Sequence, residues 1–434
     1  MKAARILRII PAMTLGLGGT SAYAAGFQLL EQNASGIGNA YAGSAALADN
    51  ASTIFFNPAG MTRLTGVNVS AGVTAIRPSF KFDNNGSVGP GGLPLGSDQG
   101  GDAGSWGFVP NAYISWQLNP DWYLGLGVGA PFGLMTEYED GWIGRFHSQE
   151  FSIESVNINP SVAYKVNERL SIGAGISWMQ LDAQYRRAAA PVVLPAALGG
   201  RYLGDVNAKL NMKGDAWGWN LGLLYQLTPS TRIGLSYRSK IKLDADGTTR
   251  FSRDPRIPTA IPVPVPGPVH ASTSVELPDT AVLSVVHDLN PRWQILADIS
   301  WTGWSSIPSL DIDNGNPALN DNLDLRFRDT WRVALGAHYK VNPRWTLKGG
   351  LAWDQSPVHE ARYRPTSLPD SDRYWVSIGA QYHFNERTSV DIGYAHLFVK
   401  STSIDNDSAA SKGTVRGDYR SDANLLGVQV SHRF

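Results

Sequence analysis

The sequence predicts an all-β transmembrane protein, a 14-stranded antiparallel outer-membrane β-barrel plugged by a small, mostly helical N-terminal hatch. Three observations carry that expectation. Six times a run of alternating apolar residues ends in a very short polar turn and a second such run begins at once: at Asn119-Pro120, Asn167-Glu168, Thr228-Pro229, Asn290-Pro291, Asn342-Pro343 and Asn385-Glu386. Long polar connections separate the resulting hairpins on the other side. With both chain ends on the short-turn side, six turns require seven hairpins, hence about fourteen strands, an even number that can close on itself. Finally, the chain starts like a secreted protein, yet no later segment approaches the roughly 18 apolar residues of a transmembrane helix.

Lys2, Arg5 and Arg8 precede an apolar stretch from Ile9 to Leu17, and small residues lead to Ala22-Tyr23-Ala24. This is a secretory leader, expected over residues 1–24. The next segment, residues 25–62, is rich in Ala and Gly and shows no strand alternation. Ala40 to Asp49 reads as a short helix, and Asn57-Pro58 as its stop. Its apolar residues Ile54, Phe55 and Phe56 favour a buried plug over a disordered periplasmic tail. The barrel is expected over residues 63–434.

Within the barrel the period of two assigns faces. Trp331, Val333, Leu335, Ala337 and Tyr339 fall on one side, to face lipid; Arg332, Ala334, Gly336, His338 and Lys340 fall on the other, to face the lumen. From Leu170 the same rule places Ser171, Gly173, Gly175 and Ser177 inside, small residues that leave lumen space. The last strand sets Leu426, Val428, Val430 and Phe434 outside. Phe434 is the final residue, the kind of terminal aromatic that barrel assembly machinery engages. Trp122, Trp293 and Trp345 follow turns directly, where an aromatic belt would anchor the barrel; ligand contact is the weaker reading.

Net charge is zero, so nothing recommends nucleic acid as a partner, and the absence of cysteine removes disulfide scaffolds and thiolate catalysis. Hydrolase, metalloprotease and nucleotide-binding motifs are missing, and no cofactor is expected. Asp311-Ile312-Asp313-Asn314-Gly315-Asn316 resembles a calcium loop, but Asn322 stands where the twelfth-position glutamate should, which favours a polar extracellular loop. Pro-Val-Pro-Val-Pro within Arg253 to Pro268 reads as a stiff extracellular excursion near the outer entrance. A soluble sandwich and a general porin compete as architectures. Unequal loops disfavour the first, the plug the second.

Ala25-Gly26-Phe27-Gln28, Ser35-Gly36-Ile37-Gly38-Asn39-Ala40-Tyr41-Ala42-Gly43 and Asn57-Pro58-Ala59, in that order, resemble the long-chain fatty acid transporters of Gram-negative outer membranes, the FadL family. Phe132-Gly133-Leu134-Met135-Thr136-Glu137-Tyr138, Trp217-Gly218-Trp219-Asn220, Ser236-Tyr237-Arg238-Ser239, Leu277-Pro278-Asp279, Asp354-Gln355-Ser356-Pro357-Val358 and Pro369-Asp370-Ser371-Asp372-Arg373-Tyr374-Trp375 continue the likeness. The resemblance implies a hatch-plugged, 14-stranded barrel in the outer membrane that takes up hydrophobic molecules passively. Long-chain fatty acids are the first expectation and monoaromatic hydrocarbons the alternative. It also makes the third strand an inward kink that opens the wall sideways. Ala130, Pro131 and Gly133 fall there, and proline removes a ladder hydrogen bond; a plain edge irregularity is the other reading.

Two cations match positions where the family places a basic residue near a carboxylate: Arg187, at the end of the strand from Leu170, and Arg328, at the start of the strand carrying Trp331. Rim arginines facing lipopolysaccharide phosphates or solvent are the competing reading for both. Phe27 resembles a plug residue that reaches the ligand pocket, with simple core packing equally open. A single-chain plugged barrel needs no partner subunit, so a monomer in contact with outer-membrane lipid and lipopolysaccharide is expected.

Overall fold

A computed structural model describes residues 26–96, 98–407 and 412–434, so the expected leader lies outside the described residues. The alternating runs form fourteen antiparallel barrel strands. They are β1 (Val67–Asn84), β2 (Gly107–Gln117), β3 (Trp122–Gly129 continued by Gly133–Glu137), β4 (Glu150–Lys165), β5 (Leu170–Val193), β6 (Tyr202–Thr228) and β7 (Thr231–Arg238 continued by Ile241–Arg253). Then follow β8 (Val269–Leu277 continued by Thr280–Asp288), β9 (Trp293–Thr302), β10 (Thr330–Lys340), β11 (Trp345–Asp354), β12 (Arg373–His383), β13 (Thr388–Val399 continued by Thr402–Asp407) and β14 (Thr414–Arg433). Pairing of β1 with β14, from Asn68 opposite Arg433 to Asn84 opposite Gly417, closes the cylinder. No sheet edge is left to face lipid along that seam.

The short turns have a common cause. In five of them one asparagine, Asn119, Asn167, Asn290, Asn342 or Asn385, accepts from the backbone N–H groups two and three residues ahead at 2.8–3.0 Å. Asparagine thereby mimics the missing backbone acceptor of a tight turn. Thr228 stands at the sixth, and the β6–β7 register slips there. Beside three of the turns, Trp122, Trp293 and Trp345 pack on their cross-strand partners Tyr164, Tyr339 and Tyr382 with ring centroids 4.6–4.8 Å apart. These outward rings form a belt.

The faces fall as the period of two requires: on β10 Arg332, Ala334, Gly336 and His338 are buried, while Leu335 is 60% exposed to the lipid side. The lumen space expected from small inward residues does not exist at the level of the turns. Gly26–Leu64 fills it, and the inward glycines are what let it in. A Cβ on Gly379 of β12 would lie 2.8 Å from Cα of Gly38, and one on Gly350 of β11 would sit 2.7 Å from the Ala40 nitrogen. On β5, β6 and β7, Gly173, Gly222 and Gly234 press against Ala59, Asn57 and Ala45 in the same way.

The helix expected over Ala40–Asp49 is not formed. Ala40, Tyr41 and Gly43 take left-handed backbone angles (φ 50°, 56° and 79°), and helical turns are confined to Ile37–Asn39, Thr53–Phe56 and Pro58–Arg63. The barrel wall supplies the acceptors a helix would otherwise provide. Gly43 N–H donates to Asp298 of β9 (2.8 Å) and Ala45 N–H to Ser284 of β8 (2.9 Å). In return, wall cations donate to the segment's carbonyls: Arg332 to Ala40 (2.6 Å), Arg238 to Phe55 (3.0 Å) and Lys348 to Ser35 (3.0 Å). Asn57 is the hub of its motif. It accepts from Ala59 N–H and donates to the carbonyls of Ala45 (2.7 Å) and Leu223 (2.9 Å), while Pro58 opens the short helical turn that Ala59 seats under Gly173.

Candidate functional site

Strand β3 breaks at Ala130-Pro131-Phe132. Below the break it pairs with β2, from Gln117 opposite Tyr123 up to Ala112 opposite Val128; above it, Gly133–Glu137 pairs with β4 alone. Residues Gly107 to Asn111 of β2 therefore have no strand on that side. The wall closes again higher up, where Ala103 accepts from Glu137 N–H (3.0 Å) and donates to Phe80 (2.9 Å). The result is a window roughly 16 Å tall, five residues at about 3.3 Å each. Pro110 lies on its free edge, where a missing N–H leaves no orphan donor. A proline at this position of an otherwise alternating strand is the sequence's own signal for that edge.

The hatch segment takes the ladder place that the break vacates. Leu29 N–H donates to the Pro131 carbonyl (2.8 Å), and Gly133 N–H to the Phe27 carbonyl (2.9 Å). Glycine at 133 makes room for this approach, since a Cβ there would lie 2.9 Å from the Leu29 side chain. Gln32 locks the lower end, donating to the Ala130 carbonyl (2.7 Å) while its own carbonyl accepts from the Tyr113 hydroxyl (2.7 Å).

Above the hatch the lumen is apolar. Leu181, Leu210, Leu243, Leu277 and Phe327 line a narrow slot of about 90 Å³. Phe27 forms its floor beside the window, with its ring 4.9 Å from that of Trp304 and 5.8 Å from that of Phe132. Outward of the slot, past a small void that shares Tyr185, Leu210 and Ile312 with it, lies a polar vestibule of about 700 Å³ between the long loops. Arg187 stands at that junction, 2.8 Å from Asp321, and Lys412 holds the other oxygen of the same carboxylate. Their side chains are 16%, 6% and 12% exposed. His147 also lines the vestibule, with Nε2 3.0 Å from the Gly413 carbonyl; burial pushes its imidazole down to about 4, so it is neutral at physiological pH.

Residues 15–434 match the family described as outer membrane protein transport protein (OMPP1/FadL/TodX). The chain belongs to this family. It is 30% identical over 442 residues to the long-chain fatty acid transport protein of Escherichia coli O6:H1, covering 98% of this chain and 97% of that one. It is 31% identical over 463 residues to outer membrane protein P1 of Haemophilus influenzae, covering 98% of each. Among solved structures, a Pseudomonas aeruginosa FadL homologue superposes with a TM-score of 0.82 at 24% identity, over 94% of this chain and 100% of that one. The Ralstonia pickettii toluene transporter TbuX does so at 0.65 and 19%, over 93% and 99%. As a FadL-family protein the chain is an outer-membrane uptake channel for hydrophobic molecules, and not an enzyme.

The residues expected at the site of this FadL-family barrel divide. Phe27 and Arg187 flank the slot at its two ends. Arg328 is elsewhere: it lies two residues ahead of β10, donates to the Ser356 carbonyl (3.2 Å) and sits 3.7 Å from Asp372. Its neighbour Phe327 points into the slot, and one residue along the chain reverses the direction. The basic residue that does stand beside Arg187 is Lys412, just ahead of β14. No spacing or pattern in the sequence around it signals that placement. The loop after Arg253 folds back on Arg253, which donates to the Ile257 carbonyl (2.6 Å), and the described lining of the vestibule comes from other segments.

Proposed function

We propose that this FadL-family barrel takes up long-chain fatty acids, receiving them in the vestibule, holding the acyl chain in the slot and releasing it sideways through the β3 window. One observation carries the reading: a slot lined by leucine and phenylalanine ends at a cationic junction, as an amphiphile with one anionic end requires. Relatives named long-chain fatty acid transport protein support it. A sideways exit keeps the chain out of water, at a saving of about 0.8 kcal/mol per methylene. Residues 26–64 act as the hatch, and Phe27 couples it to the slot. A neutral monoaromatic hydrocarbon is the second reading, favoured by the toluene transporters that share the fold, but it makes no use of the two cations, Arg187 and Lys412, at the slot's outer end. The general porin is set aside, since the lumen is filled by Gly26–Leu64. The exposed terminal ring of Phe434, 71% accessible, is the feature we assign to the barrel assembly machinery, with the barrel a monomer among lipopolysaccharide.

Oleate and toluene binding to the detergent-solubilised barrel tests the reading, with folding followed by heat-modifiable gel mobility. Saturable oleate binding that toluene displaces poorly is the expected result. Toluene binding alone moves the assignment to hydrocarbons.

A further inference from the structure

We propose that Lys412 and Asp321 belong to the anion seat at Arg187: Lys412 as a second cation for the ligand's carboxylate, and Asp321 as a built-in counter-charge that sets the seat's geometry and limits its grip. This deepens the fatty-acid reading and rests on it. Two cations converge on one carboxylate at the mouth of an apolar slot, all three largely shielded from water. The cluster keeps one positive charge unreturned.

Among the described residues, no carboxylate other than Asp321 forms an ion pair with Arg187 or Lys412. His147 is neutral. Of the vestibule's other charges, Asp324 pairs with Arg326 (3.2 Å), Asp405 with Arg416 (2.8 Å) and Arg362 with Glu360 (2.8 Å), while Asp407 accepts from Thr414 (2.9 Å). Arg187 uses Nε towards Asp321 and Nη1 towards the Ala188 carbonyl (3.1 Å). Nη2 and the further protons of Lys412 Nζ can serve a second carboxylate beside the first. Electrostatics then assigns opposite signs to the two residues. Removing Lys412 takes away attraction, and removing the charge of Asp321 adds to it. A transporter must also let go, and a seat with two unopposed cations would hold its cargo too long.

The test uses the full-length barrel and two probes with similar hydrocarbon chains, oleate and oleyl alcohol, in wild type, Lys412→Gln, Lys412→Arg and Asp321→Asn. Expected are oleate binding about tenfold weaker in Lys412→Gln, near wild type in Lys412→Arg and about tenfold tighter with slower release in Asp321→Asn, oleyl alcohol changing little throughout. Heat-modifiable mobility confirms the fold of each variant. If wild type binds oleate and both charge-removing variants match it, the seat assignment is overturned and fatty-acid uptake stands. Parallel changes for the two probes also overturn it, since they mark a packing effect. If wild type binds oleyl alcohol but not oleate, the fatty-acid reading falls together with the seat.

Discussion

The two halves of the lumen are built on opposite principles. The outer half is lined by Leu181, Leu210, Leu243 and Phe327, with its ion cluster held at the rim. The inner half is crowded with hatch backbone, bare wall glycines and buried charges such as Lys348 and Asp391, 2.7 Å apart and each 2% exposed. An apolar slot gains its affinity from area and shape, and a ligand can slide along it. A polar seat matches individual donors with individual acceptors, so the hatch is held in one register and leaves it only when several bonds break together. The window lies between the halves. There Phe27–Leu29 belongs to both, its side chain in the slot and its backbone in the ladder of β3.

A large effect that can break this contrast comes from filling the slot. Ala245→Trp, at a residue 3% exposed on the slot wall, should weaken oleate binding on the order of a hundredfold, about 3 kcal/mol, while amide exchange in the hatch stays as in wild type. Loss of hatch protection in the same variant would show that the halves are one unit. Lys348→Met acts on the other half. It strands Asp391 and removes the donor to Ser35, and should loosen the hatch by about 3–5 kcal/mol, read as faster amide exchange over Ser35–Ala40 with oleate affinity preserved.

Arg187→Ala should cost oleate roughly 1.5–3 kcal/mol and toluene almost nothing, whereas Arg328→Ala should leave both unchanged, as isothermal titration would record. Equal effects of the two arginines would contradict the separation seen between them.

Glu31 sharpens the description of the polar half. It is wholly buried in the hatch, and burial pushes its carboxyl up to about 8 against the opposing pull of its own backbone N–H and of Arg373 and Arg332. The folded state thus retains a proton that the unfolded chain releases near pH 4.3, and wild-type stability falls as pH rises from there to about 8. Glu31→Gln lacks that titration. Its melting temperature should match wild type near pH 4 and exceed it increasingly up to pH 9; a constant offset would refute the assignment. The smallest effect is expected for Tyr113→Phe, which loses one hydroxyl bond to the Gln32 carbonyl, about 1 kcal/mol, seen as faster exchange of the Leu29 amide.

The sequence by itself determined the barrel. Strand number, facing, turns and aromatic belt follow from a period of two and from asparagines that act within three residues, and such local physics survives without knowledge of the fold. The break at Pro131 was legible for the same reason. Tertiary structure alone decided what fills the lumen and which cation stands at the slot's outer end. The Ala40–Asp49 segment has helix-compatible residues, yet acceptors on β8 and β9, some 240 or more positions away, bend it into turns. Arg187 and Arg328 look equivalent in sequence, and only the closing of the barrel sends one to the slot and brings Lys412 from the far end of the chain to its side. Contacts of that kind depend on where the wall's circumference carries each residue, which no local pattern encodes.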